Sequence, residues 1–182
     1  LEIVHEDCDV IILDHHLGSE EDPKCHSIVN PNRQIESGVL SYLCAAGVVF
    51  LTLVECGRQL KDSNKTSPNL MDYLDLVALG TVADVAPLTG VNRAFVRQGL
   101  KILSNRKRLG LKFLIDKSGI NSSPTSYHLG YILGPKLNAP GRIGPADLAL
   151  RLLCSSSPSE ANDLCEQIEE LNRQRREIEN IA

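Results

Sequence analysis

The hydrophobic pattern of this chain changes period once. Residues 10–13, Val-Ile-Ile-Leu, form a run of β-type side chains that stops at Asp14-His15-His16, with Gly18 two positions on. A short apolar run bounded by turn residues predicts a strand over residues 8–13, buried on both faces. A polar stretch follows, with a second extended piece at 27–29 halted by Asn30-Pro31-Asn32. From there the apolar spacing becomes helical. It predicts a buried helix over 39–60, a second ending at Gly80, and two more over 91–105 and 109–119. A glycine- and proline-dense stretch from Tyr127 leads into a further helix. The last helix opens on Ser157-Pro158-Ser159-Glu160, a capping box with proline in the first turn. Its stripe runs through Ala161, Leu164, Cys165, Ile168, Leu171, Ile178 and Ile181, and Arg175 breaks it. That helix is expected to project from the domain or lie loosely along it.

These elements predict an α/β fold: a partial doubly wound parallel sheet with a helix-rich C-terminal half and a long exit helix. A buried parallel strand needs hydrogen-bonded neighbours, and at most two strands are readable. The expectation is therefore a fragment whose other strands lie upstream. Residues 1–156 would be the C-terminal part of one domain, and 157–182 the start of a connecting helix.

Composition narrows the picture little. The apolar (42%) and charged (23%) fractions are those of an ordinary globular protein, and a net charge of −4 gives no global attraction to nucleic acid or membrane. A nucleic-acid partner must act through local patches. The six cysteines include no C-x-x-C pair, which removes zinc-ribbon and thioredoxin-like readings and leaves reduced, buried thiols in a cytosolic protein. Residues 37–54 carry no charge but are interrupted by Gly38, Ser41, Tyr42, Gly47 and Thr52. They read as a core helix and not as a membrane span.

Three places carry candidate chemistry. Ligands of open α/β sheets bind beyond the carboxyl ends of the strands, where Asp14, His15 and His16 stand. At a strand-to-loop turn both imidazoles can face one crevice, and a carboxylate can fix their tautomers. Asp84 lies among Gly80, Ala83, Val85 and Ala86 and needs a partner: a metal, a helix N-terminus or an arginine. The segment "GPKLNAPGRIGPADL" places Lys136, Asn138 and Arg142 near Gly141, Gly144 and Pro145, either as a phosphate cradle or as a plain connection between helices. Asp7 and Asp9 mimic a paired-carboxylate motif but precede the strand. At about 3.3 Å per residue, Asp9 and Asp14 stand roughly 16 Å apart, so both early aspartates are assigned to the solvated sheet edge. The run "RKRLGLK" (Arg106, Lys107, Arg108, Lys112) reads as a solvated helix end.

In this order the pieces resemble the DHH phosphoesterases, and within them the bacterial single-stranded-DNA-specific exonucleases. The resemblance rests on "VIILDHHLG", "SIVNPN", "YLDLVALGTVADVAPLTGVNRAFVRQGL", "LGPKLNAPGRIG" and "LNRQRREIE", and covers nearly the whole chain. It implies that residues 1–156 belong to a DHH domain and that the enzyme is a two-metal phosphodiesterase using Mn²⁺ or Mg²⁺. The activity implied is 5′-to-3′ digestion of single-stranded DNA in repair and recombination, in the bacterial cytoplasm. His15 and Asp84 would be metal ligands, His16 would face the scissile phosphate, and Asp14 would support the site. Asn138 and Arg142, with Lys136, would bind nucleic acid. Lys136 stands where the family has arginine, and Pro140 where it has alanine. The family's upstream D-x-D-G motif, a further aspartate motif and the downstream G-G-H motif are absent from the chain, so the fragment alone is expected to be nearly inactive. The alternatives are a small-substrate phosphoesterase and a silent nucleic-acid-binding module. Protein partners are not legible.

Overall fold

The computed structural model describes residues 8–181. Two short strands, β1 (Ile11–Leu13) and β2 (Ser27–Val29), pair in parallel with Ile12 opposite Ile28. The Asp14 N–H donates to the Val29 carbonyl at 3.1 Å and carries the ladder one residue further. Cys8–Val10 fall outside β1. Contrary to the reading of a strand buried on both faces, Ile11 is exposed, while Ile12 and Leu13 are half-buried. The reason is that β1 has a single neighbour among the described residues.

The remainder is helical. Helix α1 (Ala45–Asp62) starts six residues later than its apolar pattern predicts. Residues 39–44 turn instead, because side-chain amides claim their carbonyls: Asn32 donates to Ser41 O at 3.1 Å and Asn92 to Tyr42 O at 2.8 Å. Helix α1 also leaves Leu53 and Val54 exposed, so it is buried on one face only. Next come a 3-10 turn (Leu70–Tyr73), α2 (Leu74–Ala83), α3 (Gly90–Ser104) and α4 (Leu109–Lys117). One continuous helical run then contains α5 (Ser126–His128), a π-helical turn (Leu129–Leu133), α6 (Gly134–Asn138) and α7 (Pro140–Ile143). Helices α8 (Leu148–Cys154) and α9 (Pro158–Ile181) complete the described residues.

Helix α2 is the hub. It buries Leu74 and Val77 against Leu43, Val48, Phe50 and Phe95 on one side. On the other, Ala78 and Leu79 join the larger core of Leu103, Leu114, Leu129, Leu133, Leu152 and Ile168. Its first turn is fixed by Asp75, only 4% exposed, whose carboxylate accepts from Arg108 Nε at 3.0 Å and from a terminal guanidinium nitrogen at 3.2 Å. Arg106 likewise pairs with Asp116 and donates to the Ile120 carbonyl at 2.6 Å. These two arginines tie helices together, which corrects the reading of their segment as a solvated end.

The first half of α9 packs into the core through Ala161, Leu164, Cys165 and Ile168, and residues 173–181 are exposed apart from the half-buried Arg175. Its start is capped by the Ser157 hydroxyl, which accepts from Glu160 N–H at 3.4 Å. Of the six cysteines, only Cys44 and Cys165 are buried. Cys8, Cys56 and Cys154 are exposed, which corrects the expectation of uniformly buried thiols. Among the described residues no helix is long and apolar enough to cross a membrane.

Candidate metal centre and phosphate-binding groove

The strand-end turn is built by Asp14. One of its carboxylate oxygens accepts from His15 N–H at 2.7 Å and from His16 N–H at 3.3 Å, and lies 2.7 Å from His16 Nδ1. Such a side-chain-to-backbone closure ends a strand by giving the next two amides a local partner. The hydrogen bond from His16, helped by those amides against the cost of burial, holds the Asp14 carboxyl below its ordinary pKa. The turn brings both imidazoles to one side, with ring centroids 4.4 Å apart.

The carbonyls of that turn are held by the residues that stop β2. Asn30 Nδ2 donates to His16 O at 2.9 Å, and Asn32 Nδ2 to His15 O at 2.7 Å. Asn32 N–H donates back to Asn30 Oδ1 at 2.9 Å. Sequence reasoning took Asn30-Pro31-Asn32 as a stop signal and missed this role. Two amide side chains flanking a proline, directly after the neighbouring strand, were the available clue.

Asp84 reaches the turn from the far end of α2. It is the helix C-cap and stands 45% exposed, with an oxygen 3.6 Å from Nδ1 of the mostly buried His15. Close packing sets that position. A Cβ on Gly134 would lie 3.1 Å from Ala83 Cβ and 2.8 Å from the Leu129 carbonyl, so the last turn of α2 rests directly on the α6 backbone. Val85, immediately after Asp84, has φ +56° although it is β-branched.

Asp14, His15 and His16 each offer one ligand atom, all within 4.8 Å of one another. These are carboxylate and imidazole donors of the kind Mn²⁺ accepts, and Asp84 stands beside them, 3.6 Å from His15 Nδ1. Asp9 sits elsewhere, near His26 at 3.5 Å, and Asp7 lies outside the described residues.

The third candidate segment divides. Asn138 and Arg142 line a cavity of about 170 Å³ with Ala83, Gly130, Gly134, Pro135 and Arg175. Its wall thus begins one residue before Asp84. Arg175, the residue that breaks the stripe of α9, points here. Its terminal nitrogens bond Glu179 and Asn172, while its buried Nε has no hydrogen-bond partner among the described residues. Lys136 does not join them. Its ammonium turns to Glu169 and to Ser118 Oγ at 2.8 Å, tying α6 to α9. The expected backbone cradle is also not what forms. Gly141 lies inside α7, and α8 begins only at Leu148, three residues past Pro145. The polar side chains of the cavity wall are those of Asn138, Arg142 and Arg175.

A site of this kind, D-H-H beyond a parallel strand with a distant aspartate beside it, defines a class. Residues 2–81 match the DHH family, N-terminal domain. The relatives are more particular. The chain is 38% identical over 176 residues to the single-stranded-DNA-specific exonuclease RecJ of Haemophilus influenzae and 37% identical over 171 residues to that of Bacillus subtilis. In both cases 93% of this chain is covered. It spans 31% of the first relative and 21% of the second, under a third of their length. Thermus thermophilus RecJ in complex with Mn²⁺ superposes with a TM-score of 0.86 at 32% identity, over 99% of this chain and 26% of that one. The same protein has been solved with Mg²⁺; that structure gives 0.69 at 36% identity, over 76% of this chain and 21% of that one.

Proposed function

We propose that this chain forms part of the active site of a metal-dependent phosphodiesterase that digests single-stranded DNA from its 5′ end. The observation that carries the reading is the meeting of His15 and Asp84, 3.6 Å apart though 69 positions separate them in sequence. His15 and Asp84 would hold the metal, Mn²⁺ or Mg²⁺ as in the solved RecJ structures. Asp14 orients both imidazoles, and the exposed His16 faces the scissile phosphate. Bound metal supplies charge neutralisation of the phosphodiester and a nucleophilic hydroxide at neutral pH. The chain's own residues do the rest. Asn138, Arg142 and Arg175 present amide and guanidinium donors to a phosphate of the strand, a contact independent of base sequence. The setting is DNA repair and recombination in the bacterial cytoplasm.

The experiment is digestion of 5′- and 3′-end-labelled single strands by the intact protein with Mn²⁺, Mg²⁺ or EDTA, beside double strands, dinucleotides and pyrophosphate. Metal-dependent release from the 5′ end of single strands, lost in His15→Ala and Asp84→Ala, is expected. Preferential turnover of dinucleotides or pyrophosphate would replace this reading with that of a small-substrate hydrolase.

A further inference from the structure

On the other side of Ala83 and Gly130 from the arginine cavity lies a second cavity, of about 430 Å³ and different character. It is lined by Val82, Val85, Leu88, Tyr127 and Tyr131, with no charged side chain in its wall. Tyr127 and Tyr131 are 60% and 75% exposed, yet stack on one another with ring centroids 5.1 Å apart and 29° between planes. Tyr127 is steadied on its other side by the His128 ring at 6.0 Å, edge to face. His128 is in turn fixed by its capping bonds to Thr125 N–H at 2.9 Å and to Thr125 Oγ1 at 3.0 Å.

Large apolar side chains left in water cost free energy, and two of them held in a stack form a flat, preordered platform. Tyr131 rides on the π-helical turn 129–133, a form that appears mostly as single-turn insertions in α-helices and is frequent at functional sites. The two cavities share Ala83 and Gly130, and Asp84 follows Ala83 directly. A single strand of nucleic acid alternates the two chemistries found here: a planar base beside an anionic phosphate. The cationic cavity of Arg142 and Arg175 next to an aromatic wall matches that alternation.

We propose that Tyr127 and Tyr131 form a nucleobase-stacking subsite, holding one base of a single-stranded DNA substrate beside Asp84 while the adjoining phosphate rests in the cavity of Asn138, Arg142 and Arg175. This rests on the nuclease reading above and adds to it a source of preference for unpaired strands, since a base inside a duplex has no free face to stack. Stacking is indifferent to base identity, as every base offers a π-face.

The test uses the intact protein and oligothymidylate in EDTA, where nothing is cleaved. Replacing a stacking aromatic by alanine is expected to weaken binding about 5- to 150-fold, the range for one base–aromatic contact. Tyr131→Ala should show that loss and Tyr131→Trp should keep the affinity. Both rings are exposed, so the thermal midpoint should not move. Tyr131→Trp also adds an indole at the platform, and the emission it adds over the wild type should be quenched when the oligonucleotide binds. An abasic residue at the contacted position should weaken the wild type by the same factor and leave Tyr131→Ala unaffected. Equal abasic penalties in both proteins, or an indole emission already that of a buried ring before DNA is added, would overturn the subsite. Wild-type digestion of single strands, run in parallel, separates the readings. Digestion with a silent Tyr131→Ala removes only the stacking, whereas no digestion removes both.

Discussion

The conformation of Val85 can be tested by thermodynamics alone. Helix α2 ends in a Schellman arrangement: Val85 N–H donates to Val82 O at 3.1 Å and Ala86 N–H to Thr81 O at 3.1 Å. Helix α4 ends the same way, with Gly119 N–H on Asp116 O at 3.0 Å and Ile120 N–H on Ile115 O at 3.2 Å. The left-handed residue is Val85 (φ +56°) in one and Gly119 (φ +69°) in the other. For a side chain with a Cβ this region costs about 1–2 kcal/mol, and for glycine nearly nothing. Glycine in turn loses more backbone entropy on folding, about 0.5–1 kcal/mol. Packing does not enter, because Val85 is 87% exposed and a Cβ on Gly119 would meet nothing within 4 Å. The difference is a gain of about 0.5–1 kcal/mol for Val85→Gly and a loss of similar size for Gly119→Val. In a chain of this length each kcal/mol shifts the thermal midpoint by roughly 2–4 °C. Thermal melts followed by circular dichroism should therefore move about 1–4 °C in opposite directions for the two variants. A fall for Val85→Gly with no change for Gly119→Val would refute the left-handed valine.

Arg108→Ala leaves the Asp75 carboxylate buried without its partner. With Arg108 itself about a fifth exposed, the cost should be about 2–4 kcal/mol, read as a drop in midpoint of roughly 5–15 °C. Asn32→Ala removes the donor to both His15 O and Ser41 O. Stability should fall by about 1–2 kcal/mol, and nuclease activity should fall at least as far in Asn32→Asp, whose carboxylate has no donor and repels both carbonyls, tested by steady-state rates at matched folded fraction. Burial, aided by the Glu169 charge, pushes the Cys165 thiol up to about 11 from its ordinary 9.0. At pH 8 a thiol reagent should label Cys56 and Cys154 quickly and Cys165 only on unfolding. Because the folded state holds that proton more tightly, its contribution to stability is complete below pH 9 and is lost as the pH rises from about 9 to about 11; Cys165→Ala should flatten that decline. His15 and Asp84 give the 182-residue chain by itself two metal ligands, fewer than the roughly six a hard cation takes, so Mn²⁺ titration should show loose binding and little turnover.

What was legible in the residues was what periodicity and turn chemistry encode locally. The D-H-H turn at a strand end and the cap at Ser157 each depend on neighbours within four positions, whereas the helix expected to end at Gly80 runs on to Ala83, because Gly80 sits in the helix packed closely on Ala46. Asp84 was legible as a carboxylate in need of a partner, but which partner was not, since His15 comes from another element. The misreadings have separate causes. Lys136 and Arg142 look alike in sequence, being cations six positions apart. On one helical run they leave the axis in different directions, one toward Glu169 and the other toward Ala83. Arg175 was read as a fault in an apolar stripe because nothing local shows that its face of α9 meets a cavity and not the core. The start of α1 failed for a third reason. Residues 39–44 are apolar enough for a helix, but Asn32 and Asn92, distant in sequence, outcompete the helical ladder for their carbonyls.

These cases converge on α2, which links stability to the site. It is ten residues long, about 15 Å at 1.5 Å per residue. The Asp75–Arg108 pair fixes one end, and Asp84 stands at the other. Between them Ala78 and Thr81 are fully buried and transmit displacement, because a close-packed interior does not yield locally. Asp84 itself has no hydrogen bond from its side chain to hold it; its only described side-chain partner is His15 at 3.6 Å. Its position is therefore inherited from the seat of Ala83 on Gly134 and from the anchor at Asp75. Substitutions at Arg108, remote from the histidines along the helix, should then lower the affinity of the site for metal as well as the melting temperature. Substitutions of the equally well-paired Arg173 on the exposed end of α9 should do neither.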